Sequence, residues 1–122
     1  MEKLYNYIGG ELIEPTGGDW LEVIEPATGK PYAKAPESTE ADLKAAIKSA
    51  RKAQKGWANT SAEERARILT LIAELIEENL DTLAEAESKD SGKPVSLARK
   101  VDIPRAAANF RFFAHALTQY GS

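Results

Sequence analysis

The stretch from Ser61 to Ser88, SAEERARILTLIAELIEENLDTLAEAES, constrains the chain more than any other. Ser61 and Glu64 stand in the S-x-x-E spacing of a capping box. In that box the serine oxygen takes a free amide of the first turn and the glutamate reaches back to the serine amide. The spacing predicts a helix that starts at Ala62. From there Ile68, Leu69, Ile72, Leu75, Ile76, Leu80 and Leu83 recur at helical steps, an apolar stripe against a charged back face. The pattern reads as one core helix of about seven turns at 3.6 residues each.

Such a helix needs cover, and 122 residues, 13.3 kDa, suffice for a domain with one core. Basic and acidic residues number 16 and 19, interspersed, for a net charge of -3. This gives no electrostatic case for nucleic acid or for an anionic membrane surface. The absence of cysteine removes disulfides, a thiolate nucleophile and cysteine metal sites. The opening MEKLYNYIGGE has no apolar signal core, and no run of 18 apolar residues occurs. A cytoplasmic location is the resulting expectation.

Ahead of the central helix, Gly9-Gly10 separates two short runs holding Tyr5, Tyr7, Ile8, Leu12 and Ile13, which predicts a β-hairpin. A loop over 15–19 follows, then an extended segment with Trp20, Leu21, Val23 and Ile24 that Pro26 ends. After the turn Ala27-Thr28-Gly29-Lys30, residues 31–35 read as a fourth strand. None of these glycines has the G-x-G-x-x-G or G-x-x-x-x-G-K-[ST] spacing of a phosphate loop, so they read as turn chemistry. Thr39 with Asp42 caps a helix whose apolar side carries Leu43, Ala46, Ile47, Ala50, Ala53 and Trp57. Its other side, Lys44, Lys48, Arg51, Lys52 and Lys55, reads as a solvated face with cations toward the C-terminus. Gly56 is the expected stop, with Trp57 anchoring the connection.

Beyond the turn Lys89–Pro94, residues 95–120 read as a third helical region. Ile103, Ala106, Ala107, Phe110, Phe113, Ala114 and Leu117 make its main stripe, and Pro104 either kinks it or opens its second half. Phe112 falls roughly opposite Phe110, at about 100° per residue, so both sides of this helix want apolar cover. Three helices and a few strands do not easily supply it, and an element outside these residues is expected to pack here.

Little catalytic chemistry is visible. His115 is the only histidine, without a metal-ligand or triad pattern, and reads as a helix-surface residue. The pairs Glu63-Glu64 and Glu77-Glu78 lie on a polar helix face, which suits capping and solvation rather than a convergent acid/base pair. Asp102, between Val101 and Ile103 where Pro104 interrupts the pattern, can cap the next turn or hold a cation with backbone carbonyls.

In order along the chain, IGGE at 8–11, IEPATGK at 24–30, the Ala-rich helix ending in Trp57, SAEERARIL at 61–69, ESKDSGKP at 87–94 and VDIPRAAANFRFFA at 101–114 together resemble the N-terminal part of the NAD(P)-dependent aldehyde dehydrogenase superfamily. The DIPRAAANF block is similar to the branch with hydroxymuconic semialdehyde and betaine aldehyde dehydrogenases. The resemblance implies that residues 1–122 are the N-terminal part of an α/β, Rossmann-like cofactor domain, here an α+β piece with strands and turns over 1–37 and helices over 38–122. It implies a longer parent, using NAD or NADP, that oxidises an aldehyde to a carboxylic acid through a cysteine thiohemiacetal. The nucleophile, the glutamate base and the phosphate-contacting segment of the family lie later in the chain, so these residues alone are expected to be inactive and to bind no cofactor tightly. No catalytic or cofactor-binding residue is assigned. The resemblance carries over one site, a structural monovalent cation held by the carbonyls of Val23 and Ile24 and by Asp102, incomplete because a further carbonyl comes from downstream. The implied partner is the rest of the dehydrogenase chain, with a homo-oligomer through apolar helix faces as a further expectation. The alternative is a stand-alone protein-binding module using such a face; a small nucleotide-binding protein is disfavoured without a phosphate loop.

Overall fold

The computed structural model describes residues 1–120, in which short strands precede helices, an α+β arrangement. The strands are β1 (Glu2–Lys3), β2 (Asn6–Ile8), β3 (Glu11–Ile13), β4 (Trp20–Glu25) and β5 (Lys30–Pro36). The helices are α1 (Glu40–Ala58), α2 (Ala62–Glu78), α3 (Leu80–Ser91), the single turn α4 (Val95–Leu97) and α5 (Ile103–Gln119), with a π turn over Ala98–Asp102. Where composition led us to expect one core, the chain divides into two compact units, Met1–Asn59 and a second from Thr60 onward.

In the first unit β2 and β3 form the predicted hairpin, with Ile8 opposite Glu11 and Gly9 and Gly10 at φ 63° and 84°. Two successive positive φ angles are what a two-residue hairpin turn requires, and glycine adopts them without Cβ strain. β4 and β5 pair antiparallel, and β1, which the hydrophobic pattern did not show, pairs parallel to β5. The β4–β5 register shifts between Val23 and Ile24, where Val23 lies opposite Ala33 and Ile24 opposite Pro31. Proline has no amide to give the ladder, so an irregular pairing beside it is where a bulge is tolerated. α1 continues through Gly56 to Ala58, contrary to the expected stop, because Asn59 closes it with its amide donating to the Lys55 carbonyl at 3.2 Å. The hairpin lies along α1 at Ala46, Ser49 and Ala50. Leu43, Ile47 and Trp57 stay exposed, Trp57 at 42%, so the apolar side of α1 is not covered as its stripe predicts.

The second unit is helical. Ser61 takes the Glu64 amide at 3.1 Å as expected, but the Glu64 carboxylate pairs with Arg67 instead of returning to the Ser61 amide. The predicted seven-turn helix is two helices, α2 and α3, broken at Asn79 with φ -104° and ψ 21°. The Asn79 side-chain amide donates to the Leu75 carbonyl at 2.8 Å, competing locally with the helical ladder. Leu75 and Leu83 are exposed rather than part of the covered stripe, whereas Ile68, Leu69, Ile72, Ile76 and Leu80 are half-buried. The third region is likewise divided, and Pro104 sits in the first turn of α5, directly after the π turn Ala98–Asp102.

α2 and α5 pack together, and the residues they bury completely are Ala73, Ala107 and Ala114. Methyl side chains let two helix backbones approach closely, and a larger group at the seam must push them apart. Replacing Ala73 by leucine is expected to lower stability by about 1–3 kcal/mol in urea unfolding, whereas the opposite change at exposed Leu75, to alanine, is expected to be nearly neutral.

Candidate functional site

Three polar groupings are built firmly enough to do something specific. The first starts at the N-terminus of α1. Asp42, three residues past the cap Thr39, is the one buried charged side chain among the described residues, at 5% exposure. Its Oδ1 accepts the Thr16 amide at 3.0 Å and, through a short bond, the Thr16 hydroxyl. Its Oδ2 accepts the Thr39 amide at 2.8 Å and the Thr39 hydroxyl at 3.3 Å. One carboxylate thus ties the 15–18 turn to the start of the helix. Gly17 fits tightly beside it, since a Cβ there would meet the Thr39 methyl at 3.2 Å. The Thr16 hydroxyl, then the Thr39 amide, hold the Asp42 pKa below its ordinary 3.8 against the opposing effect of burial.

The second grouping spans α2 and α5. Arg111 Nε and Nη2 both donate to Glu77 Oε1, at 2.9 and 2.5 Å. They rim an open, mostly apolar groove of about 410 Å³ floored by Leu80, Ile103, Pro104 and Ala107. Arg99 and Asp81 make a similar pair at 2.8 Å. Both pairs are substantially exposed, and such pairs contribute about 0–1 kcal/mol, so they do little to hold the unit together.

The third is Asp102, which stands at the end of the π turn in helical conformation and caps nothing with its side chain. Its Oδ2 lies 2.7 Å from the Lys93 ammonium. No other donor reaches that buried oxygen among the described residues, and the lysine approach lies outside hydrogen-bond angles. Val23 and Ile24, the other residues expected at a cation, belong to the first unit, at the β4–β5 register shift. Among the described residues no three of His, Cys, Asp and Glu converge as metal ligands. His115 is exposed, as its sequence setting predicts.

Gly9, Gly10, Gly18 and Gly29, all at positive φ, lie in turns between strands, and Gly92 ends α3. The basic face of α1 is exposed, with Lys44 pairing to Glu40 at 2.8 Å, as expected of a solvated face. Two sites escaped the sequence reading. Thr16 is 26 residues from Asp42 with no motif linking them, and Lys93 carried no sign of its partner.

The sequence pattern of the aldehyde dehydrogenase family matches residues 12–122. The chain belongs to that family. It is 43% identical over 119 residues to 2-aminomuconic semialdehyde dehydrogenase of Bos taurus, covering 98% of this chain and 24% of the relative. It is 49% identical over 113 residues to acetaldehyde dehydrogenase 2 of Cupriavidus necator, covering 93% and 22%. In structure it is similar to an aldehyde dehydrogenase from Bacillus cereus solved as an NAD+ complex, with TM-score 0.94, 36% identity, and coverage of 98% of this chain and 25% of that one. This aldehyde dehydrogenase segment spans about a quarter of the length of the relatives it matches.

The Asp42 cluster yields a pH dependence with a definite sign. A carboxylate whose folded pKa is depressed contributes stability above its unfolded pKa, and that contribution disappears as pH falls through the folded value. Asp42→Asn supplies one acceptor oxygen and two unwanted donors to a site built of donors. The variant is expected to unfold at a lower temperature than the parent sequence at pH 7, with the gap constant down to about pH 4 and closing below it. Melting curves across that range check this; a gap that does not narrow in acid contradicts the assignment.

Proposed function

We propose that these residues are the N-terminal part of the cofactor domain of an NAD(P)-dependent aldehyde dehydrogenase that oxidises an aldehyde to a carboxylic acid. The observation that carries this is the match to the family over 12–122 at a quarter of the relatives' length, on a chain whose apolar faces stay open. The family reaction needs a cysteine nucleophile, and there is none in this sequence. What these residues supply is support: the strand–turn layer held by Asp42, and the α2–α5 pair offering its outer faces to the remainder of the chain. The oxidised nicotinamide accepts the hydride when bound, and the groups that hold it belong to that remainder. NAD and NADP both remain within this reading, as does a range of aldehydes.

A second reading is favoured by one observation. Phe112 and Phe113 are 62% and 60% exposed and meet edge to face with ring centres 5.2 Å apart. Phe113, placed by its spacing in the covered stripe of α5, is instead outside it. Covering a phenylalanine contributes about 1.5–3 kcal/mol, so this pair is a strong candidate for contact with another polypeptide or a second copy.

A replacement experiment tests the first reading. A chimera in which residues 12–122 take the place of the matching segment of the Cupriavidus necator acetaldehyde dehydrogenase 2 is expected to keep aldehyde-dependent reduction of NAD, while the 122-residue chain alone shows none. Turnover by the chain alone, or a folded chimera with no activity, contradicts it.

A further inference from the structure

We infer that Lys93 is the resident cation of Asp102, so that Oδ2 of this carboxylate is closed to a dissolved sodium or potassium ion. Lys93 Nζ lies 2.7 Å from Asp102 Oδ2, with the two side chains only 33% and 25% exposed. The oxygen is buried and has no hydrogen-bond donor among the described residues, which leaves the ammonium as its compensating charge. A buried carboxylate oxygen without any positive neighbour is strongly disfavoured.

The lysine is placed rather than merely near. Gly92 closes α3 at φ 78°, a conformation that turns the chain sharply at this point. The Ser88 hydroxyl donates to the Lys93 carbonyl at 2.6 Å, and the Lys93 amide donates to the Ser91 hydroxyl at 3.3 Å. Both backbone groups of Lys93 are thereby fixed from the last turn of α3. On the other side, the π turn Ala98–Asp102 inserts one residue into the helical run, advancing every later side chain by about 100°. The tether keeps the ammonium at the carboxylate at an effective concentration that a free ion does not match. A dissolved monovalent ion brings the same charge and must first displace the lysine, leaving it without its partner. Oδ2 of Asp102, in the cation site implied by family resemblance, therefore does not fit a free ion. This inference is independent of the dehydrogenase activity proposed above, because it concerns one ion pair and is read by stability alone.

The test is thermal unfolding, in sodium, potassium and choline chloride at equal ionic strength, of the acetaldehyde dehydrogenase 2 chimera that carries residues 12–122 and supplies the downstream carbonyl. The expected midpoints are the same in all three salts. Lys93→Met is expected to lower the midpoint by several degrees, Lys93→Arg to retain most of it, and Asp102→Asn to add no further loss in the Lys93→Met background. A midpoint higher in sodium or potassium than in choline overturns the inference, and this arm holds even if Lys93→Met fails to fold. A Lys93→Met variant as stable as the parent sequence overturns it as well.

Discussion

Everything apolar that the described residues take fully out of water is alanine: Ala33, Ala73, Ala84 and Ala98 at zero exposure, Ala107 and Ala114 nearly so. No larger side chain among them is completely buried. The seam between α2 and α5 depends on this, since methyl groups permit the close approach that lets Glu77 and Arg111 meet at its edge. The same constraint explains why so many leucines and aromatic residues remain uncovered. A seam of methyls uses little of the apolar surface that the flanking stripes provide. The outer faces of α1, α2 and α5 keep large apolar groups that a finished core normally hides.

Membership in the aldehyde dehydrogenase family gives that open surface a meaning. Two solved aldehyde dehydrogenases about four times as long contain a segment of the same fold at a TM-score of 0.94, so the fold of this portion is compatible with a much larger assembly of elements. Chemistry and support are then separable. Hydride transfer and acyl chemistry require groups that this sequence does not contain, cysteine above all. The groups it does contain fasten turns to helices: Asp42 to the 15–18 turn, Lys93 to the end of the π turn. Both are carboxylate contacts that fix turn geometry.

Much of the local structure was legible because its causes are local. Two adjacent glycines specify a tight hairpin and Ser61 specifies a helix start, while Pro104, which could kink the helix or open its second half, stands in the first turn of α5. What failed to show depends on pairs distant in sequence or on competition within a few residues. The parallel pairing of β1 with β5 joins residues about thirty positions apart, and two residues are too few to display a period. The break at Asn79 was hidden by a stripe that continues on both sides of it, while an asparagine side chain decided the outcome through one carbonyl. The π turn has no composition of its own. The candidate sites divide in the same way: the exposed His115, the solvated basic face of α1 and the Thr39–Asp42 cap were readable from helical spacing, whereas Thr16 beside Asp42 and Lys93 beside Asp102 were supplied by tertiary structure.

The central claim is that these residues are one portion of a longer dehydrogenase whose remaining elements cover the faces left open here. The most direct measurement is the mass of the native polypeptide in its own cells, detected with an antibody raised against the 122 residues. A band several times heavier than 13.3 kDa is predicted. A single band at 13.3 kDa, retained by the cell as a stable product, contradicts the account and makes the open phenylalanine face a binding surface in its own right.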